Sequence, residues 1–183
     1  MKRLVIIVLA LIFIPASRIT KGQTLKLGFR IEPTFLLTEL KNENSIAFTP
    51  YSFYLNIIVE PIEWFSFEVR PGYLLAGGEY GGFEIGAFTK FNILPSRFCL
   101  IVGLNNHSND WGNAHNGGGS YLKKMFYYGV GIGFQKDSKL SFDVMYYWTD
   151  DKEFAYSFDG TFRKNKLMNG IVKLGFSLAW DIL

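Results

Sequence analysis

Both histidines of the chain, His107 and His115, fall in one polar stretch, residues 104–120, together with Ser108, Asp110 and several asparagines and glycines. Hydrolysis through a covalent intermediate needs a nucleophile, a base and a group that orients the base. Ser108, either histidine and Asp110 supply those types, so His107, Ser108, Asp110 and His115 are the catalytic candidates. His107, Asp110 and His115 are also ordinary metal-ligand types, but their spacing matches no zinc motif, and no metal or cofactor is expected. A stretch of Asn and Gly equally suits a polar external loop, where such residues make turns. His107 and Ser108 are adjacent, and neighbours in an extended chain point to opposite faces. Joint catalysis would therefore need a turn at Asn106 or Asn109.

Two other features carry less. Gly129, Gly131 and Gly133 recur with period two and no helix pattern follows, which is unlike a nucleotide loop. Cys99 is the single cysteine, so no intramolecular disulfide forms, and it reads as a packing residue.

The elements that must position these residues are strands. Met1-Lys2-Arg3, an apolar run over 4–14 and the small residues around Thr20-Lys21-Gly22 read as a signal peptide, 1–22, with cleavage before Gln23. The run is too short for a spanning helix, which needs roughly 20 apolar residues. Cleavage removes Lys2, Arg3, Arg18 and Lys21 and no acid, which takes the formal net charge from +3 to −1. The basicity that a nucleic-acid partner would want therefore goes with the leader.

Over 23–183 the dominant period is two, the signature of strands. It is cleanest in Leu25, Leu27, Phe29 and Ile31, in Phe126 to Phe134, in Leu140 to Trp148 and in Val172 to Ile182. Four further strands are expected over 47–59, 65–75, 82–92 and 97–105. Eight strands of about ten residues match the length that crosses a bilayer at a tilt. The connections at 60–63, 94–96 and 136–138 are tight, and those at 37–46, 106–122 and 150–167 are expected to be long polar loops. Short turns at one end and long loops at the other belong to bacterial membrane barrels, whose turns and termini are periplasmic.

Alternation alone does not say which face lies inside. An eight-stranded barrel is only just wide enough for its interior side chains to fill it, and the apolar face here is made of large residues. The opposite face carries Gly28, Gly86, Gly103, Gly129, Gly131, Gly133 and Gly175. It also carries the cations Lys26, Arg30, Arg70, Lys90 and Lys173 and the anions Glu32, Glu68, Glu84, Asp143 and Asp181. Balanced charge is what a closed interior requires, because an unpaired buried charge is costly. The expectation is a lipid-facing apolar wall around a lumen plugged by ion pairs. Tyr51, Trp64, Tyr73, Tyr80, Tyr121, Tyr127, Tyr128, Tyr146, Tyr147 and Trp148 fall near strand ends, where interfacial aromatic girdles belong.

The last strand, Lys173-Leu174-Gly175-Phe176-Ser177-Leu178-Ala179-Trp180, resembles the C-terminal insertion signal of outer-membrane barrels, although Asp181-Ile182-Leu183 follow where a terminal aromatic is usual. The resemblance implies recognition by the barrel-assembly machinery. Over 23–183 the chain resembles the small outer-membrane β-barrels of the OmpA/OmpX type. That implies an all-β, up-and-down, eight-stranded barrel in the outer membrane of a diderm bacterium, in contact with its lipids and lipopolysaccharide. His107-Ser108-Asn109 resembles the His-any-Ser-Asn motif of outer-membrane lipid A deacylases, with the intervening residue missing. Three functions stay open: a monomeric barrel that acts through its external loops, a lipid-modifying hydrolase at the rim after the fifth strand, and a soluble lipocalin-like carrier. General diffusion does not fit, since aqueous channels need about twice as many strands.

Overall fold

The computed structural model describes residues 24–75, 79–110 and 117–182, so the leader, 1–22, lies outside the described residues. The chain forms β1 (Thr24–Ile31), β2 (Thr34–Leu40), β3 (Glu43–Thr49), β4 (Tyr51–Ile62), β5 (Phe65–Leu75), β6 (Gly82–Asn92), β7 (Phe98–Asn109), β8 (Gly118–Ser120), β9 (Lys124–Gln135), β10 (Leu140–Trp148), β11 (Glu153–Asp159) and β12 (Phe162–Asp181). Neighbours pair antiparallel in the order β1-β4-β5-β6-β7-β9-β10-β12, and β12 returns to β1, with Phe29 opposite both Leu55 and Leu178. The ring of eight is closed, so the wall has no free edge.

Pro33 and Pro50 account for the extra strands on one side. Proline lacks the N–H a ladder needs, so the first staircase breaks at Pro33 into β1 and β2, and the second at Pro50 into β3 and β4. The expected strand over 47–59 is thereby split. A two-residue turn joins β2 to β3, with Lys41 and Asn42 at φ 55° and 66°. Positive φ at both positions matches the right-handed twist of the hairpin. Gly160, at φ 63°, makes the corresponding turn between β11 and β12.

The expected polar loops at 37–46 and 150–167 are corrected to hairpins, β2–β3 and β11–β12, and β7 continues to Asn109 rather than ending at 105. β12 is a single strand of 20 residues. These strands run beyond the lipid-facing zone, so their outer face meets water and hydropathy no longer alternates cleanly.

Alternate residues face outward. Phe29 is 65% exposed and Ile132 62%, whereas Arg30 and Arg70 are 1% and 2% exposed. Near the tight turns the outer wall carries Phe pairs, Phe98–Phe134 and Phe142–Phe176, with centroids 5.4 Å apart in each. Toward the long hairpins Tyr128 and Tyr146 both stack on Trp148, at 5.9 and 6.1 Å. Tyr80, Tyr127 and Tyr147 are corrected: they are buried in the lumen rather than set in a girdle. For Tyr127 and Tyr147 the cause is period two, which puts them on the face of Gly129 and Gly131.

Candidate functional site

The lumen is built where small and charged residues share one face. Gly175 leaves the space that the Arg30 guanidinium and Asp143 occupy, and a Cβ there would collide with both. Arg30 donates from Nε to Glu32 and from Nη2 to Asp143. Arg70 lies 2.9 Å from Glu68 Oε1 and reaches Glu32 at 3.5 Å and Asp143 at 3.6 Å. Lys90 meets the other oxygen of Glu68 at 2.7 Å. Lys173 bridges Glu84 and Glu32 and donates to Tyr54 Oη at 2.8 Å, while Tyr54 donates to Glu84. Arg30, Arg70, Lys90 and Lys173 are thus joined in one network with Glu32, Glu68, Glu84 and Asp143, four charges against four.

Two expected members, Asp181 and Lys26, do not join. Asp181 is the last residue of β12, its side chain is 55% exposed, and its nearest cation, Lys26, is 3.9 Å away. Lys26 pairs instead with Glu60 at 2.9 Å, at the end with the tight turns. There a cavity of about 30 Å³ is lined by Lys26, Glu60, Ser66, Lys90, Cys99 and neighbouring residues. That is room for about two waters, not for a transported solute. Cys99 packs in the lumen against Gly133, as a filler would.

Apolar and aromatic side chains pack beside and above the ion pairs. Leu74, Phe88, Ile101, Met125, Tyr127, Met145 and Tyr147 are buried together. This layer was not foreseen in an interior expected to be polar. Tyr80, in the connection between β5 and β6, descends into the mouth, stacks on His107 at 4.2 Å and donates to Tyr127 Oη at 2.8 Å. Its neighbour Glu79 is gripped by Lys166, with Nζ–Oε1 at 2.7 Å. Asn109 ties the rim together. It accepts from the Gly81 N–H at 3.1 Å and donates to the Tyr121 carbonyl at 3.1 Å.

The catalytic candidates separate. His107 is fully buried in the lumen, with Nδ1 3.0 Å from Glu84 Oε1 and Nε2 without a hydrogen-bond partner among the described residues. A bond from Nδ1 to a carboxylate makes Nδ1 the protonated nitrogen. Ser108 points to the other side of β7 and donates to Asp110 Oδ1 at 3.1 Å. No turn at Asn106 or Asn109 brings His107 and Ser108 together, because β7 is regular through both and pairs with β6 and β9 up to Ser108. His115 lies outside the described residues, and among those described no three metal-ligating side chains converge. Sequence reasoning missed Tyr54 and Asn56, although Ser52, Tyr54 and Asn56 repeat with period two on β4 and are all buried.

Outside the wall two carboxyls are perturbed. In the turn before β10, the backbone N–H groups of Leu140 and Lys139 donate to Asp137 and hold its carboxyl below the usual carboxylate range. Asp159 is held low by the hydrogen bond and charge of Lys41, which joins the tips of the two hairpins.

No protein-family model matches the chain, and no curated protein matches it. Several solved structures are similar to it. Neisserial surface protein A (NspA) is 14% identical, with 86% of this chain and 99% of that one covered at a TM-score of 0.43. Ail, the attachment invasion locus protein of Yersinia pestis, is 13% identical, with 88% and 100% covered at 0.41. A major outer membrane protein from Thermus thermophilus is 12% identical, with 84% and 99% covered at 0.40.

Proposed function

We propose that this chain is an integral outer-membrane β-barrel with a sealed lumen, which works through the surface it presents beyond its long hairpins. The observation that carries this is the inversion of the wall. Large apolar side chains are exposed around a closed ring, whereas four cations and four anions are buried inside it. In water such a surface would aggregate; in lipid it is the low-energy arrangement, since the closed ring of strands leaves no free edge. A soluble carrier would hold the opposite arrangement and an apolar cavity large enough for a ligand.

The filled lumen speaks against conduction, and the opposite facing of His107 and Ser108 leaves the hydrolase reading without a supporting observation. The tight turns and both ends of the ring, Thr24 and Asp181, share one rim. By the rule for bacterial barrels that rim is periplasmic and the long hairpins face outward; insertion by the barrel-assembly machinery and a monomeric state belong to the same proposal. The test is fractionation with a folding readout. The protein should sediment with outer membranes, resist extraction by carbonate and run faster unboiled than boiled in detergent gels. Recovery in a soluble periplasmic extract would refute the placement.

A further inference from the structure

Past the barrel mouth, the β11–β12 hairpin has two faces. The register sets Ala155, which is buried in the mouth, opposite Lys166; on the other face Tyr156 stands opposite Asn165 and Phe158 opposite Arg163. Tyr121 joins this outer face, because β8 pairs Gly119 with Tyr156 and Tyr121 follows Gly119 by two. A Cβ at Gly119 would come within 2.9 Å of Tyr156 Oη, so a bare backbone leaves room for that ring.

The guanidinium of Arg163 rests against both rings, 4.1 Å from the Tyr156 centroid and 4.7 Å from that of Tyr121, and the two rings themselves pack with centroids 5.5 Å apart. Tyr121 is itself pinned: its hydroxyl donates to Asn165 at 2.8 Å, and Asn165 donates to Glu153 at 2.8 Å. The other paired cations of this rim hold acids, Lys41 with Asp159, Lys123 with Asp151 and Lys166 with Glu79. Among the described residues Arg163 has no carboxylate within ion-pair distance. The two rings support it from one side, and the residue is otherwise exposed. A planar fork held in this way suits the oxygens of a phosphate group, and part of the ordering entropy is already spent.

The height selects the source of the phosphate. Arg163 stands nine residues along β12 from Val172, which pairs with Tyr146 of the outer aromatic band. Nine residues span roughly 30 Å of strand, or about 20 Å of height at a 45° tilt. Beside an outward wall at that height lies neither acyl chain nor interface but the saccharide of an anchored glycolipid. Building on the outer-membrane placement above, we propose that Arg163, supported by the packed pair Tyr121 and Tyr156, binds a phosphate group on the saccharide of a glycolipid in the outer leaflet.

The test uses the full mature barrel in detergent micelles, with the Arg163 Nε–Hε resonance assigned from its loss in Arg163→Gln. The probes are rough lipopolysaccharide, the same material chemically dephosphorylated, and inorganic phosphate. Intact glycolipid should shift the Arg163 resonance, the dephosphorylated form should not, and Arg163→Gln should retain at least fivefold less glycolipid after washing. Tyr156→Ala should weaken retention while leaving the gel shift of folding intact. Equal responses to the two glycolipids, or unchanged retention by Arg163→Gln, would overturn the assignment. So would inorganic phosphate acting at concentrations below those of the glycolipid, which would mark a site for a free anion. A protein absent from the outer membrane fails the placement itself, whereas one that fractionates there but ignores phosphate fails only this assignment.

Discussion

Replacing Arg30 with methionine tests whether the lumen is a closed electrostatic network. Arg30 is 1% exposed and bonds directly to both Glu32 and Asp143. Methionine keeps much of the volume but leaves the network one cation short. Asp143 then retains only Arg70 at 3.6 Å, and Glu32 retains Arg70 at 3.5 Å and Lys173 at 3.5 Å. Removing one partner of a buried pair costs about 3–5 kcal/mol, because the orphaned charge stays out of water. The ceiling is set by those three remaining contacts, so the lower half of the range is expected. Urea titration of the barrel in lipid vesicles, followed by tryptophan fluorescence and by the gel shift, reads the loss. Adding Asp143→Asn to Arg30→Met restores neutrality and should recover part of it, so the double variant should be more stable than the single. A loss below about 1 kcal/mol, the range of solvated surface pairs, would refute the reasoning and show that water screens the lumen.

Three further outcomes follow from the same geometry. Val130→Arg, on the lipid face of β9, should destabilise by about 2–4 kcal/mol in the same titration, the cost of a cation near the bilayer midplane; a neutral result would reverse the facing of the wall. Ser108→Ala should leave the lipid A mass spectrum of expressing cells unchanged, since no histidine among the described residues shares its face of β7; loss of a deacylated species would restore the hydrolase reading. Asp137 is held below the usual carboxylate range by two backbone N–H groups, so its contribution to stability is present above the unfolded value, about 4, and is lost as pH falls through its lower folded value. The gap in urea midpoint between wild type and Asp137→Ala should therefore be full at pH 7 and shrink below pH 4; a gap independent of pH would mean that the charge is not what the turn uses.

The wall was legible in the sequence because two forces write the same period. Lipid demands an apolar residue at each outward position, and a narrow interior admits only small or paired charged residues at the alternate ones. Arg30, Arg70, Lys90, Lys173, Glu32, Glu68, Glu84 and Asp143 could be assigned to the lumen on that basis, and all are buried. Asp181 was misassigned because parity continues to the end of a strand while enclosure does not. The hairpins beyond the mouth were missed for a related reason. Thr38, Glu39, Asn44 and Ser45 pair across β2 and β3 in regular register, yet with water on the outer face no apolar face marks them as strand.

The mouth was the least legible part, and the reason is physical rather than a matter of pattern strength. His107 obeys the period of β7, so its inward facing follows from parity, but its surroundings are assembled from four separate segments. Glu84 comes from β6, Tyr80 from the connection before β6, Tyr127 from β9 and Phe154 from the start of β11. No local spacing encodes such a meeting. Phe154 enters only because the register of β11 against β12 slips between Glu153 and Ala155, which lets Phe154 and Ala155 both be buried. A histidine beside a serine in a polar stretch therefore looks like chemistry in one dimension. In three dimensions the histidine belongs to the plug: its ring supports Tyr80 and its Nδ1 anchors on the carboxylate that also binds Lys173. The electrostatic network and the aromatic cap meet at that residue, and this joins the sealing of the mouth to the charge balance of the lumen.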